Sequence, residues 1–159
     1  MIYDVYLAGP EVFEPDAKEI GEDLKATCAK HGLRGLYPLD AELGPMADPR
    51  AIFEANVALI CRAKGVIANM TPFRGPSTDV GTAWEIGCAY GLGKPVVAYS
   101  GDPHLYAEKV RICGVEDGRL IENFGLVDNL MLPCSLVQPI ESNFVAAVKT
   151  MRSVLDGTL

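Results

Sequence analysis

Glu85 lies in Thr78-Asp79-Val80-Gly81-Thr82-Ala83-Trp84-Glu85-Ile86-Gly87, which reads as the first turns of a helix behind the Pro/Gly-rich loop at 71–77. At helical spacing its neighbours three and four residues away are Gly81, Thr82, Cys88 and Ala89, all small. Small neighbours leave room for a ligand in front of a carboxylate; the plainer alternative is a solvated Glu held by the helix dipole. The other groups able to do chemistry at the same edge are Tyr6, Glu11, Asp40, Glu42, Asn56, Arg74 and Asp79. Carboxylates, a tyrosine and an amide suit glycosyl chemistry. One carboxylate attacks an anomeric carbon, and the remaining polar groups hold the sugar and protonate the leaving group. The chain has no G-x-S-x-G elbow, no G-x-x-x-x-G-K-[ST] loop and no G-x-G-x-x-G fingerprint, so no nucleotide cofactor is expected.

The elements that must position these groups alternate strand and helix. Residues 2–8, 33–37, 65–70 and 96–99 read as strands, and 129–136 as a further strand-like piece. Helices are expected over 15–30, with Ile20, Leu24 and Cys28 on one stripe, over 49–63, behind the 71–78 loop, near 104–111, and over 140–156. Ala51, Ala55, Ala58 and Leu59 are the expected packing positions of the second helix, and Phe144, Val148, Met151 and Leu155 those of the last. Alternation of this kind predicts a flavodoxin-like (Rossmann-like) doubly wound five-stranded parallel sheet in the order 2-1-3-4-5, as one domain over 1–159. Ligands bind such sheets at the carboxyl ends of the strands, where the loops beginning at Gly9, Pro38 and Met70 converge.

Composition narrows the partners. Of 159 residues, 21 are acidic and 14 basic, a net charge of −7 that disfavours nucleic acid and anionic membrane surfaces. The five cysteines are odd in number and widely spaced, and neither they nor the two histidines have metal-ligand spacing. No metal, no zinc ribbon and no disulfide framework is expected. The first residues read as a strand rather than a signal peptide, and no apolar run is long enough to span a bilayer, so the expected compartment is the cytoplasm.

An ordered set of motifs resembles the nucleoside 2-deoxyribosyltransferases over nearly the whole length. They are Tyr6-Leu7-Ala8-Gly9-Pro10, Tyr37-Pro38-Leu39-Asp40, Asn56-Val57-Ala58-Leu59-Ile60, Ser77 through Gly87, Gly93-Lys94-Pro95-Val96-Val97 and Val127-Asp128-Asn129-Leu130. G-K-P-V alone is weak; the set, centred on D-x-G-T-x-x-E, is specific. The resemblance implies transfer of a 2-deoxyribosyl group between purine or pyrimidine bases, with 2′-deoxynucleosides and free nucleobases as small-molecule partners. It implies Glu85 as nucleophile, Tyr6 as the hydroxyl that orients it, Asp79 as the partner of the sugar 5′-hydroxyl, and a homo-oligomer in which Asn129 completes a neighbouring site. Gly9, Gly81, Phe73 and Arg74 join Asn56, Asp40 and Glu42 in the expected substrate-binding set. The alternatives are an N-glycoside hydrolase on the same scaffold and a non-catalytic nucleotide-sensing module.

Two positions carry consequences. Asp79 repels a 5′-phosphate dianion by roughly 1–4 kcal/mol at contact distances, which favours nucleosides over nucleotides, yet it is equally placed to cap the helix that holds Glu85. Many members of the family carry Asp where this chain has Asn56. An amide cannot supply a proton, which leaves Asp40, Glu42 or water as the general acid.

Overall fold

The computed structural model describes every residue except Glu42, Leu43, Pro45, Met46 and Glu116. Strands β1 (Tyr3–Ala8), β2 (Leu33–Leu36), β3 (Gly65–Asn69) and β4 (Val96–Tyr99) form one parallel sheet in the order β2-β1-β3-β4. Among the described residues five α-helices accompany it: α1 (Ala17–Lys30), α2 (Pro49–Arg62), α3 (Val80–Gly91), α4 (Tyr106–Ile112) and α5 (Phe144–Asp156). Side chains alternate along each strand, and both sheet faces are covered, which is why the strands read as continuous apolar runs. Val5, Leu7, Ile67 and Val97 pack against Cys28 of α1 and Ala147, Val148 and Met151 of α5. Tyr6, Ala8, Val66, Ala68, Val96 and Ala98 pack against Ile60 of α2 and Ile86 and Ala89 of α3. Alternation therefore turns Tyr6 toward the face that carries α3.

The helix starts follow from capping side chains. Asp48, Asp79 and Asn143 accept from the amides of Arg50, Thr82 and Ala146, so α2, α3 and α5 begin at 49, 80 and 144. The last helix is accordingly four residues shorter than its apolar pattern suggests. Ala58 is exposed on α2, where Ile60 is the buried residue instead.

The sheet has four strands among the described residues, not five. Residues 129–136 fold into turns and a short 3-10 helix at Pro133–Ser135. The outer edge of β4 is covered further on, where the Val137 amide donates to the Val96 carbonyl, the Glu141 amide to Ala98, and the Ser100 amide to Glu141. Pro139 interrupts this stretch, and a proline has no N–H to continue a ladder. A single parallel bridge between Tyr99 and Glu141 is what remains of a fifth strand.

Because β2 and β3 lie on opposite sides of β1, the connections leaving β1 and β3 diverge and open a crevice at their carboxyl ends. One wall of that crevice hangs on Tyr37, whose ring lies across Gly21 of α1; a Cβ on Gly21 would meet ring carbons at 2.5 and 2.6 Å. Gly21→Ala gains up to about 1 kcal/mol of helix propensity but overpacks a rigid buried ring at about 1–3 kcal/mol. Denaturant unfolding is expected to show a net loss of about 1–2 kcal/mol.

Candidate active site

Tyr6 projects from β1 beneath α3, fully buried, and its hydroxyl donates to Glu85 Oε1 at 2.5 Å. Glu85 and Asp79 share a cavity of about 240 Å³ with Gly9, Val12, Phe13, Pro38, Leu39, Ile52, Asn56, Gly81 and Thr82. Burial pushes the Glu85 carboxyl up to about 7; the Tyr6 bond opposes that rise and the Asp79 charge adds to it. The Tyr6 hydroxyl is raised as well, by burial first and then by the Glu85 charge, so it stays a donor at neutral pH. A carboxylate held by one donor, largely stripped of water and opening on a cavity, has the surroundings in which a nucleophile can act.

Asp79 caps α3 without leaving the cavity. Its Oδ2 accepts from the Thr82 amide at 2.9 Å and the Thr82 hydroxyl at 3.2 Å. Its Oδ1 takes no bond from the described residues, so capping leaves one oxygen open to a ligand. Of the four small neighbours of Glu85, only Gly81 and Thr82 face the cavity; Ala89 is buried in the core and Cys88 packs against it.

Asn56 also lines the cavity, and its Oδ1 is buried with no partner among the described residues. An unpartnered buried carbonyl costs about 1–3 kcal/mol until a donor reaches it. A ligand N–H would satisfy it.

Other expected residues fall elsewhere. Asp40 is tied down by the Tyr37 amide and by Lys25, each at 2.8 Å, in a separate polar depression with Lys18 and Glu22. Glu42 lies outside the described residues. Glu11 turns away from the cavity and accepts from Asn69 Nδ2 at 2.7 Å and the Tyr99 hydroxyl at 2.8 Å. Phe73 stacks on Phe13 with centroids 5.3 Å apart, and the Arg74 guanidinium lies over both rings. The pair thus reaches the cavity only through Phe13. Asn129 lies at a different cavity of about 260 Å³, where its Nδ2 donates to Glu122 at 2.8 Å. Among the described residues no three His, Cys, Asp or Glu side chains gather as a metal site would require.

The loops beginning at Gly9 and Pro38 do reach the cavity, but the sequence does not single out their apolar side chains. Val12, Phe13, Pro38, Leu39 and, from α2, Ile52 form the apolar part of the lining and suit a flat heterocycle. Phe13 sits on a short 3-10 turn at Pro10–Phe13 and is 55% exposed, so neither periodicity nor chemistry marks it.

Residues 5–131 match the profile of a family described as nucleoside 2-deoxyribosyltransferase. The chain belongs to that family. Among solved structures, a 2-deoxyribosyltransferase from Leishmania mexicana superposes with a TM-score of 0.83 at 32% identity, covering 95% of this chain and 97% of that one. A 2-deoxyribosyltransferase from Bacillus psychrosaccharolyticus, at 22% identity and a TM-score of 0.62 over 92% and 90% of the two chains, shares the fold. An uncharacterized protein of Schizosaccharomyces pombe is 40% identical over 114 residues, 67% of this chain and 54% of that protein. The chain thus spans about half the length of that relative.

Proposed function

We propose that this chain transfers a 2-deoxyribosyl group from one nucleobase to another by a retaining double displacement through Glu85. The observation that carries the reading is the Glu85 carboxylate facing an apolar cavity while held by the Tyr6 hydroxyl at 2.5 Å. In the first step a Glu85 oxygen bonds to C1′ as the N-glycosidic bond breaks, and its electron pair leaves with the base. In the second, a ring nitrogen of the incoming base attacks C1′ from the opposite face and the glycosyl ester breaks, returning Glu85 as carboxylate. Two inversions give net retention.

Asp79 Oδ1 receives the 5′-hydroxyl, and its charge selects against a 5′-phosphate. Asn56 reads the base by hydrogen bonds, and Phe13 backs the heterocycle. With an amide at position 56 and Asp40 turned away, Glu42 or water gives the departing base its proton and recovers one from the ring N–H of the incoming base. The reading also makes the protein a cytoplasmic homo-oligomer. The half-exposed Trp84, set edge-on against Phe53 at 5.2 Å, and the exposed Val80 give α2 and α3 an apolar outer surface suited to a second copy, and Asn129 would serve a neighbouring site.

Incubation of deoxyinosine with and without free adenine tests the reaction. Formation of deoxyadenosine only when adenine is present is the expected result. Hypoxanthine release at the same rate without an acceptor would make the protein a hydrolase, and no release in either tube would sink both readings. A 2-fluoro-arabinosyl nucleoside is expected to leave a covalent adduct on Glu85, which a sensing module would not form.

A further inference from the structure

Asp128 is a carboxylate that the proposed reaction does not use, 2% exposed at the base of the loop that delivers Asp79. Its Oδ2 accepts from both the amide and the hydroxyl of Thr78, each at 2.8 Å, across fifty residues of sequence. Its Oδ1 accepts from the Asn129 amide at 2.8 Å. Burying a carboxylate is costly unless it is fully bonded, and here three donors meet it. The 3%-exposed Lys109 supplies opposite charge: burial lowers the pKa of that lysine, and Asp128 and then Asp102 act against the fall.

Thr78 is itself 5% exposed and directly precedes Asp79. Asp79 is thus anchored on both sides, through the Asp128 clasp on Thr78 before it and through its own Oδ2 bond to Thr82 after it. Fixing both ends leaves Oδ1 one place to be.

We propose that Asp128 is a positioning residue that sets where Asp79 meets the 5′ end of the sugar. The inference rests on Asp79 being the partner of the 5′-hydroxyl. Asp128 does not line the cavity, and of the two residues it holds, Thr78 leads to Asp79 in the same chain. Thr78→Val leaves the Asn129 bond in place and so separates this route from one through Asn129. It follows that its loss penalises substrates only to the extent that they carry a 5′-hydroxyl.

The test compares Asp128→Asn, Thr78→Val and Asp79→Ala with the unaltered protein, using 2′-deoxyadenosine and 2′,5′-dideoxyadenosine as donors and hypoxanthine as acceptor. Asp79→Ala fixes the full size of the 5′ contribution. Asp128→Asn is expected to lower kcat/KM for 2′-deoxyadenosine about tenfold, mainly through KM, the loss of one hydrogen bond's worth of grip. With the 5′-deoxy donor the fall is expected to stay under about twofold. An equal fall with both donors would assign Asp128 to general folding and overturn the proposal. If Asp128→Asn does not fold, Thr78→Val decides: it removes only the hydroxyl donor, and a loss confined to the 5′-hydroxylated donor supports the clasp, whereas wild-type rates with both donors overturn it. An unaltered protein that transfers from neither donor would defeat the transferase reading, a separate result, and this inference with it.

Discussion

Replacing Glu85 with Gln is expected to abolish transfer while making the protein more stable. Gln keeps the shape and still accepts the Tyr6 hydroxyl bond, but it cannot form the glycosyl ester. Loss of the nucleophile should lower kcat by at least about a thousandfold, or about 4 kcal/mol of transition-state stabilisation. Stability moves the other way. The Glu85 carboxyl is raised from 4.5 to about 7 in the folded protein, chiefly by burial. An acid with a raised folded pKa binds its proton more tightly folded than unfolded. Its contribution therefore falls as pH rises from about 4.5 to about 7 and stays low above that. At about 1.4 kcal/mol per pKa unit the penalty is at most about 3 kcal/mol. Glu85→Gln removes it, so thermal or denaturant melts at pH 8 should show a gain of about 2 kcal/mol that disappears by pH 4. A variant that is inactive and also less stable at pH 8 would mean that the carboxylate is a structural anchor, and would count against the cavity as a reaction site.

How much of this was legible in the sequence depends on the kind of residue. The four strands and the helices between them show in apolar runs, and Asp79 shows as a cap, because those signals are local. Asn143, which starts the last helix at 144 rather than 140, does not stand out as one. Glu85 is visible because it is a carboxylate among small residues, and its link to Tyr6, 79 residues away, comes from motif resemblance. Asp40 shows the limit. A carboxylate after a strand looks the same whether it faces a ligand or closes a turn, and what decided it was Lys25 at 2.8 Å from the preceding helix. The apolar walls are legible only as loops: the segments beginning at Gly9 and Pro38 are expected at the site, but Phe13 and Ile52 are recognisable as lining only when β1, α2 and α3 are brought together. The expected fifth strand failed for a related reason. Residues 129–136 have strand-like composition, but the edge of β4 is met by 137–141 instead, and Pro139 keeps that stretch from becoming a ladder.

Tyr6→Phe carries the second large effect, and its signature is a displaced pH profile. In the proposed reaction Glu85 attacks only as carboxylate, so kcat/KM, which reports the free enzyme, should rise with pH through a midpoint near 7. The Tyr6 hydroxyl bonds the ionised form and so opposes the upward push of burial. Phe removes that donor while keeping the ring that fills the core between β1 and α3. A hydrogen bond to a charged group contributes about 1.5–3 kcal/mol, so the midpoint should move up by roughly one to two pH units. At pH 7 the ionised fraction would drop about five- to fiftyfold, and much of that loss should be recovered by pH 9. A flat, pH-independent loss with the midpoint still near 7 would show instead that Tyr6 serves to orient Glu85 without tuning its charge. The two outcomes separate positioning from electrostatics at the one contact on which the proposed chemistry turns.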